Sequence, residues 1–107
     1  MKIQKVIFLM PKAVEVVSKR FGIPPLKDSD IFLLYTIQYL PRTTRASAYR
    51  HIKDMGYSMV QPTFYASVGR LLSYELIESD KWVYRLTWKG REYLTAIRRY
   101  LLNTRLS

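Results

Sequence analysis

Apolar residues recur at helical spacing in several stretches of this chain, each bounded by residues that start or stop a helix. Ala13, Val16, Val17 and Phe21 fall at i, i+3, i+4 and i+8, one helical face, while Lys12, Glu15, Lys19 and Arg20 lie mostly elsewhere. Pro11 suits a first turn, where its missing N–H is not needed, and Gly22 followed by Pro24-Pro25 closes the segment. Residues 2–10 mix apolar and charged positions without a clean period, which predicts a strand or extended arm. Asp28-Ser29-Asp30 offers N-cap chemistry for a helix from Ile31 to Leu40 that is apolar on nearly every side. A helix of that kind is central to a core or covered by a second subunit.

Pro41 ends this run, and Thr43-Thr44 can cap another helix. In it Ala48, Ile52 and Met55 share a face, Arg45, Arg50 and Lys53 project outward, and Gly56 is the stop. Pro62 marks the next first turn. Phe64, Val68, Leu71 and Leu72 then repeat at i, i+4, i+7 and i+8, a narrow buried stripe that leaves Thr63, Tyr65, Ser67 and Arg70 on the other faces. Leu76-Ile77-Glu78 and Trp82-Val83-Tyr84-Arg85-Leu86 predict two short strands around a tight Ser79-Asp80-Lys81 turn. Trp82, Tyr84 and Leu86 would share one sheet face, with Val83 and Arg85 on the other. Thr87 caps a last helix striped by Tyr93, Leu94, Ile97 and Leu101. The pattern contains no internal repeat, low-complexity tract or flexible linker.

Composition changes the picture in one respect. At 107 residues and 49% hydrophobic, the chain can build one domain with a modest core. Its 18 Lys and Arg against 8 Asp and Glu leave a formal charge of +10. Such an excess is easiest to understand if a polyanion binds it, nucleic acid first and an anionic membrane surface second, with simple solubility as the plain alternative. There are no cysteines, which removes disulfides, thiolate zinc sites and cysteine nucleophiles. The apolar run at residues 6–10 is too short for a signal peptide, and no run approaches the roughly 18 residues of a membrane span. The expectation is a soluble, cytoplasmic protein.

The order helix, helix, short turn, helix, hairpin is informative as a set. The stretch Val60-Gln61-Pro62-Thr63-Phe64-Tyr65-Ala66-Ser67-Val68-Gly69-Arg70-Leu71-Leu72-Ser73-Tyr74-Glu75-Leu76-Ile77 resembles the recognition helix and first wing strand of winged helix-turn-helix regulators. Tyr84-Arg85-Leu86-Thr87-Trp88-Lys89-Gly90 resembles their closing wing strand and its junction into a terminal helix. The resemblance covers residues 29 to about 100, with MarR-like and PadR-like regulators as the nearest general types. Two departures stand out: Glu75 occupies the usual glycine position, and the wing tip is unusually short, which weakens the expectation of deep minor-groove contact by the wing.

The resemblance implies a mostly α fold with a small β-hairpin: a winged helix-turn-helix at residues 28–88, with additional helices at 1–27 and 89–107 as dimerisation elements. A helix entering the major groove would present Gln61, Thr63, Tyr65, Ser67 and Arg70. Gln and Arg can make paired hydrogen bonds to base edges, and Thr can touch a thymine methyl. Arg42, Thr43, Thr44 and Arg45 sit at a helix start suited to a phosphate, and Lys81 and Arg85 flank it on the hairpin. The bland reading of each is a solvated surface residue.

The nine Tyr and two Trp fit packing better than a base-stacking platform. An enzyme is not expected: His51 is the only histidine, its i+3 neighbour Asp54 reads as a solvated pair, and neither a metal-ligand set nor a cofactor loop is present. The expected partner is double-stranded DNA, bound by a homodimeric transcriptional repressor whose two recognition helices address half-sites roughly 34–36 Å apart. No sequence feature marks an effector ligand. The alternative is a winged helix used for protein–protein contact in a replication, mobile-element or chromosome-organising assembly.

Overall fold

Capping chemistry sets where the helices of the computed structural model begin. Residues 2–106 are described, with side chains from Met10 to Asn103, so domain boundaries at 1 and 107 fall outside them. Helix α2 (Asp28–Tyr39) starts three residues before the expected Ile31, so the Asp-Ser-Asp signal forms its first turn rather than its cap. Lys27 is the N-cap, and Asp30, at the third helical position, accepts its backbone N–H at 2.9 Å. Helix α3 (Arg45–Asp54) begins on a reciprocal capping box, as Thr44 promised. Ser47 N–H donates to Thr44 Oγ1 at 3.1 Å, and Thr44 N–H donates to Ser47 Oγ at 2.8 Å.

Helix α4 (Gln61–Ser73) carries Pro62 in its first turn. Strands β2 (Ile77–Asp80) and β3 (Val83–Leu86) form the expected hairpin, with Asp80 paired to Val83. A further strand was not foreseen: Thr43–Thr44, β1, pairs antiparallel with Tyr84 and Val83. The sheet order is therefore β1-β3-β2. Trp82 does not join Tyr84 and Leu86 on the buried face. It occupies the turn and is exposed, because β3 starts one residue later.

The terminal segments are helices α1 (Lys2–Arg20) and α5 (Trp88–Leu106). The extended arm expected at residues 2–10 is instead the first half of α1, with Pro11 inside the helix. A proline there forfeits one backbone hydrogen bond and crowds the carbonyl four residues before it, a cost that α1 carries at Pro11. In sequence Ile3, Val6, Ile7, Met10, Val14 and Val17 follow the same helical period across it. Among the described residues the protein is thus mostly helical, with five helices and a small three-stranded antiparallel sheet. No helix among them is long and apolar enough to cross a membrane.

The chain divides into two compact units, Lys27–Arg91 and the pair Met1–Leu26 with Glu92–Ser107. In the first, α2 packs on both α3 and α4, and its Ile31, Leu33, Leu34 and Ile37 are buried with Ala48, Ile52, Phe64, Val68 and Leu71. Tyr84 and Leu86 of the sheet and Leu76 just before β2 are buried too. In the second unit Ala13, Val14 and Val17 of α1 and Tyr93, Leu94 and Ile97 of α5 are buried. Ser18 Oγ lies 2.7 Å from Tyr93 OH, and the Phe21 ring meets Tyr93 edge-on.

Candidate functional site

Helices α3 and α4 leave a groove of about 510 Å³ lined by Arg45, Arg50 and Lys53 from one helix and Gln61, Phe64 and Tyr65 from the other. Buried Ala48 and Ile52 set the helical phase, which turns Arg45, Arg50 and Lys53 outward. None of the three has a carboxylate partner among the described residues. Phe64, 1% exposed, is held edge-on by Tyr49 and forms the apolar floor. Gln61, Thr63 and Tyr65 are all exposed, as the stripe predicted, although Thr63 does not line the groove.

Arg45 has aromatic partners on both sides. Its guanidinium carbon stands 5.1 Å from the Tyr65 ring centroid, within cation–π range. Hydrogen bonding to the Tyr84 side chain is the largest of the influences that raise its pKa, and Tyr65 adds to it. Two tyrosines, one from β3 and one from α4, thus keep a charged, planar donor among the groove-lining residues. Such a group suits phosphate or a base edge.

Four expected contact residues are not free to make contact. Ser67 is 0% exposed and donates to Ser29 Oγ of α2 at 2.8 Å. It sits in the buried stripe where Leu72 was expected, and Leu72 is 39% exposed instead. Arg70 turns inward to Asp30: Nη2 donates to Oδ1 at 2.9 Å and Nε to Oδ2 at 3.1 Å, which raises the Arg70 pKa. Its Nη2 also reaches Ser67 Oγ at 3.3 Å. Thr43 is 1% exposed inside the sheet, and the Thr44 hydroxyl is occupied by its capping box. The expected phosphate site at this helix start thus reduces to Arg42 and Arg45, both exposed.

The hairpin candidates belong to a second, open concavity of about 870 Å³, where Arg42, Lys81 and Arg85 gather with Ile37, Leu40 and Trp88. Arg85 is not a free cation there. It pairs with Asp80 at 3.1 Å and approaches Glu78 at 4.0 Å, on the exposed sheet face. Sequence reasoning did not select Arg50, Lys53 or Tyr49 as site residues. The signal was present in the outward phase of Arg45, Arg50 and Lys53, but which helix they would face depends on how α3 packs beside α4.

Among the described residues no cluster of three or more His, Asp or Glu side chains could hold a metal ion. Comparison with protein-family models, with curated proteins and with solved structures returns no match.

Proposed function

We propose that Lys27–Arg91 is a winged helix-turn-helix that binds double-stranded DNA, and that the chain is a homodimeric transcriptional regulator. The observation that carries this reading is the α3–α4 groove, where three cations without a carboxylate partner among the described residues adjoin Gln61 and Tyr65 of α4. The element order α2-β1-α3-α4-β2-β3 with sheet order β1-β3-β2 supports it, as does the formal charge of +10.

In this reading α4 lies in the major groove, which is wide enough to admit a helix. Gln61, Thr63 and Tyr65 meet base edges and the sugar-phosphate rim, while Arg45, Arg50 and Lys53 neutralise the backbone of one strand. Phe64, Val68 and Leu71 hold the helix from behind. Two copies would set two α4 helices on half-sites about one duplex turn apart, roughly 34–36 Å, and occupancy of a promoter would regulate it.

The test is duplex affinity measured across a salt series. The parent chain should lose affinity by orders of magnitude between low and moderate salt, and Arg45→Ala/Arg50→Ala/Lys53→Ala should flatten the log–log slope by about 2 to 3. A chain indifferent to duplex at low salt would overturn the reading and favour a protein-docking module.

A further inference from the structure

The open concavity of about 870 Å³ is walled by the end of α2, the segment after it, the sheet and the first turn of α5. No residue of α3 or α4 lines it. Its apolar surface comes from half-buried Leu40 and Val83 and from exposed Pro41 and Trp88. Trp88 opens α5 but takes no part in that helix's buried stripe of Tyr93, Leu94 and Ile97, and its indole is 71% exposed. One exposed apolar residue calls for no explanation. Several on one concavity, with arginines among them, have the make-up of a protein contact, where Trp and Arg are enriched.

The charges there are unevenly placed. Arg42, Lys81, Arg85 and Arg91 line the concavity against Glu78 and Asp80. Both carboxylates lie on β2 and both are reached by Arg85, Asp80 at 3.1 Å and Glu78 at 4.0 Å. Arg42, Lys81 and Arg91 have no carboxylate partner among the described residues. Arg42 precedes β1, which β3 separates from β2, and Arg91 Nη1 donates to Leu86 O at the end of β3, 3.3 Å away. Thr43 lines the concavity too. It is 1% exposed, and its Oγ1 is the one buried side-chain polar atom among the described residues without a hydrogen-bond partner. A polar group brought to that floor would satisfy it.

We propose that this concavity docks an acidic, apolar segment of a partner protein, with carboxylates on Arg42 and Arg91 and an aromatic or leucine-type side chain against Trp88, Leu40 and Val83. A guanidinium can hold a carboxylate by two parallel hydrogen bonds, and Trp and Arg carry much of the binding energy where they anchor an interface. Shape favours a peptide over a small molecule. Small-ligand sites enclose most of their ligand, whereas Pro41, Arg42, Trp88 and Arg91 are all exposed. Charge placement favours a peptide over a duplex. A short segment can match cations on one side and engaged carboxylates on the other, which a duplex with phosphates at every step cannot. Docking here is independent of duplex binding by α4.

The experiment selects peptides from a display library of random dodecapeptides on the full chain at near-physiological salt. Selected peptides should carry carboxylates beside an aromatic or leucine-type side chain. Labelled and followed by anisotropy, they should lose affinity by roughly tenfold or more with Trp88→Ala and with Arg91→Glu. In Trp82→Phe, which leaves Trp88 as the only indole, they should shift its emission to the blue. Trp88→Ala should bind duplex as the parent does, and Arg45→Ala/Arg50→Ala/Lys53→Ala should still bind the peptides. Thermal melting checks that each variant is folded.

A selection that enriches no acidic peptide, or only basic ones, overturns the docking site and leaves the duplex reading untouched. Acidic peptides that bind Trp88→Ala normally but are lost with the triple variant occupy the α3–α4 groove instead, which also overturns it. Loss of self-association in Trp88→Ala by light scattering, with no peptide bound by the parent, gives this face to a second copy. Peptide binding by a parent that ignores duplex would sustain the docking site while the duplex reading falls.

Discussion

Asp30 is 0% exposed, and among the described residues its oxygens accept from the Lys27 N–H and the Arg70 guanidinium. A buried carboxylate left without its cation is expensive, whereas Arg70 itself is 28% exposed and partly screened. Arg70→Ala should therefore destabilise the fold by about 2–3 kcal/mol, and by much less in an Asp30→Asn background, a coupling that denaturation of the double-mutant cycle reads directly. Discrimination between duplex sequences, corrected for folded fraction, should not change. Loss of discrimination with no loss of stability would return Arg70 to the contact surface. The sequence made Arg70 look like a base reader because its partner lies forty positions away. Ser67 misled for a related reason, since a hydroxyl breaks an apolar stripe on paper while Ser29 satisfies it in the core. Local periodicity carries no information on either pairing. It did locate Gln61, Thr63 and Tyr65, whose exposure depends only on helical phase.

Helix stops were more legible than helix starts at the level of elements, because a terminating glycine is local chemistry. Gly56 closes α3 with φ of 86°, its N–H bonded to Lys53 O and the Tyr57 N–H to Ile52 O. Helix α4 closes with the same bond pattern, Glu75 N–H to Leu72 O and Leu76 N–H to Leu71 O, yet uses Glu75 at φ 61°. Glu75 therefore takes at the end of α4 the left-handed position that glycine takes at the end of α3. Glu75→Gly should relieve left-handed strain and stabilise by about 0.5–1 kcal/mol after the greater freedom of glycine in the unfolded chain is subtracted. The bond from Thr87 Oγ1 to Glu75 O, at 2.5 Å, is to backbone and survives the change. A lower melting temperature for Glu75→Gly would show that its side chain matters more than its φ. The Leu-Thr-x-Lys-Gly junction has an equally physical basis, because a Cβ on Gly90 would collide with the Leu76 carbonyl. What stayed illegible was β1, two residues that read as a cap and become a strand only when β3 arrives forty positions later.

Positive charge is unevenly spread across the whole molecule. Lys and Arg outnumber Asp and Glu ten to six in Lys27–Arg91 but eight to two in the remaining residues. Lys12, Lys19, Arg20, Arg98 and Arg99 of the terminal helices are exposed, whereas the apolar stripes expected to seek a second subunit are largely buried. A two-fold seam built on these helices must therefore use what apolar surface is left, such as half-buried Leu101 and Leu102 at 46% exposure, and must bring two strongly cationic chains together. Self-association and DNA binding then respond to salt with opposite sign. Screening relieves the repulsion between copies, while it weakens attraction to a polyanion. Light scattering at micromolar protein should find the dimer fraction rising as salt increases, with Leu101→Glu/Leu102→Glu held monomeric throughout and melting cooperatively. A chain that stays monomeric at every salt concentration would remove the homodimer and the paired half-sites, leaving a single α4 on a single site.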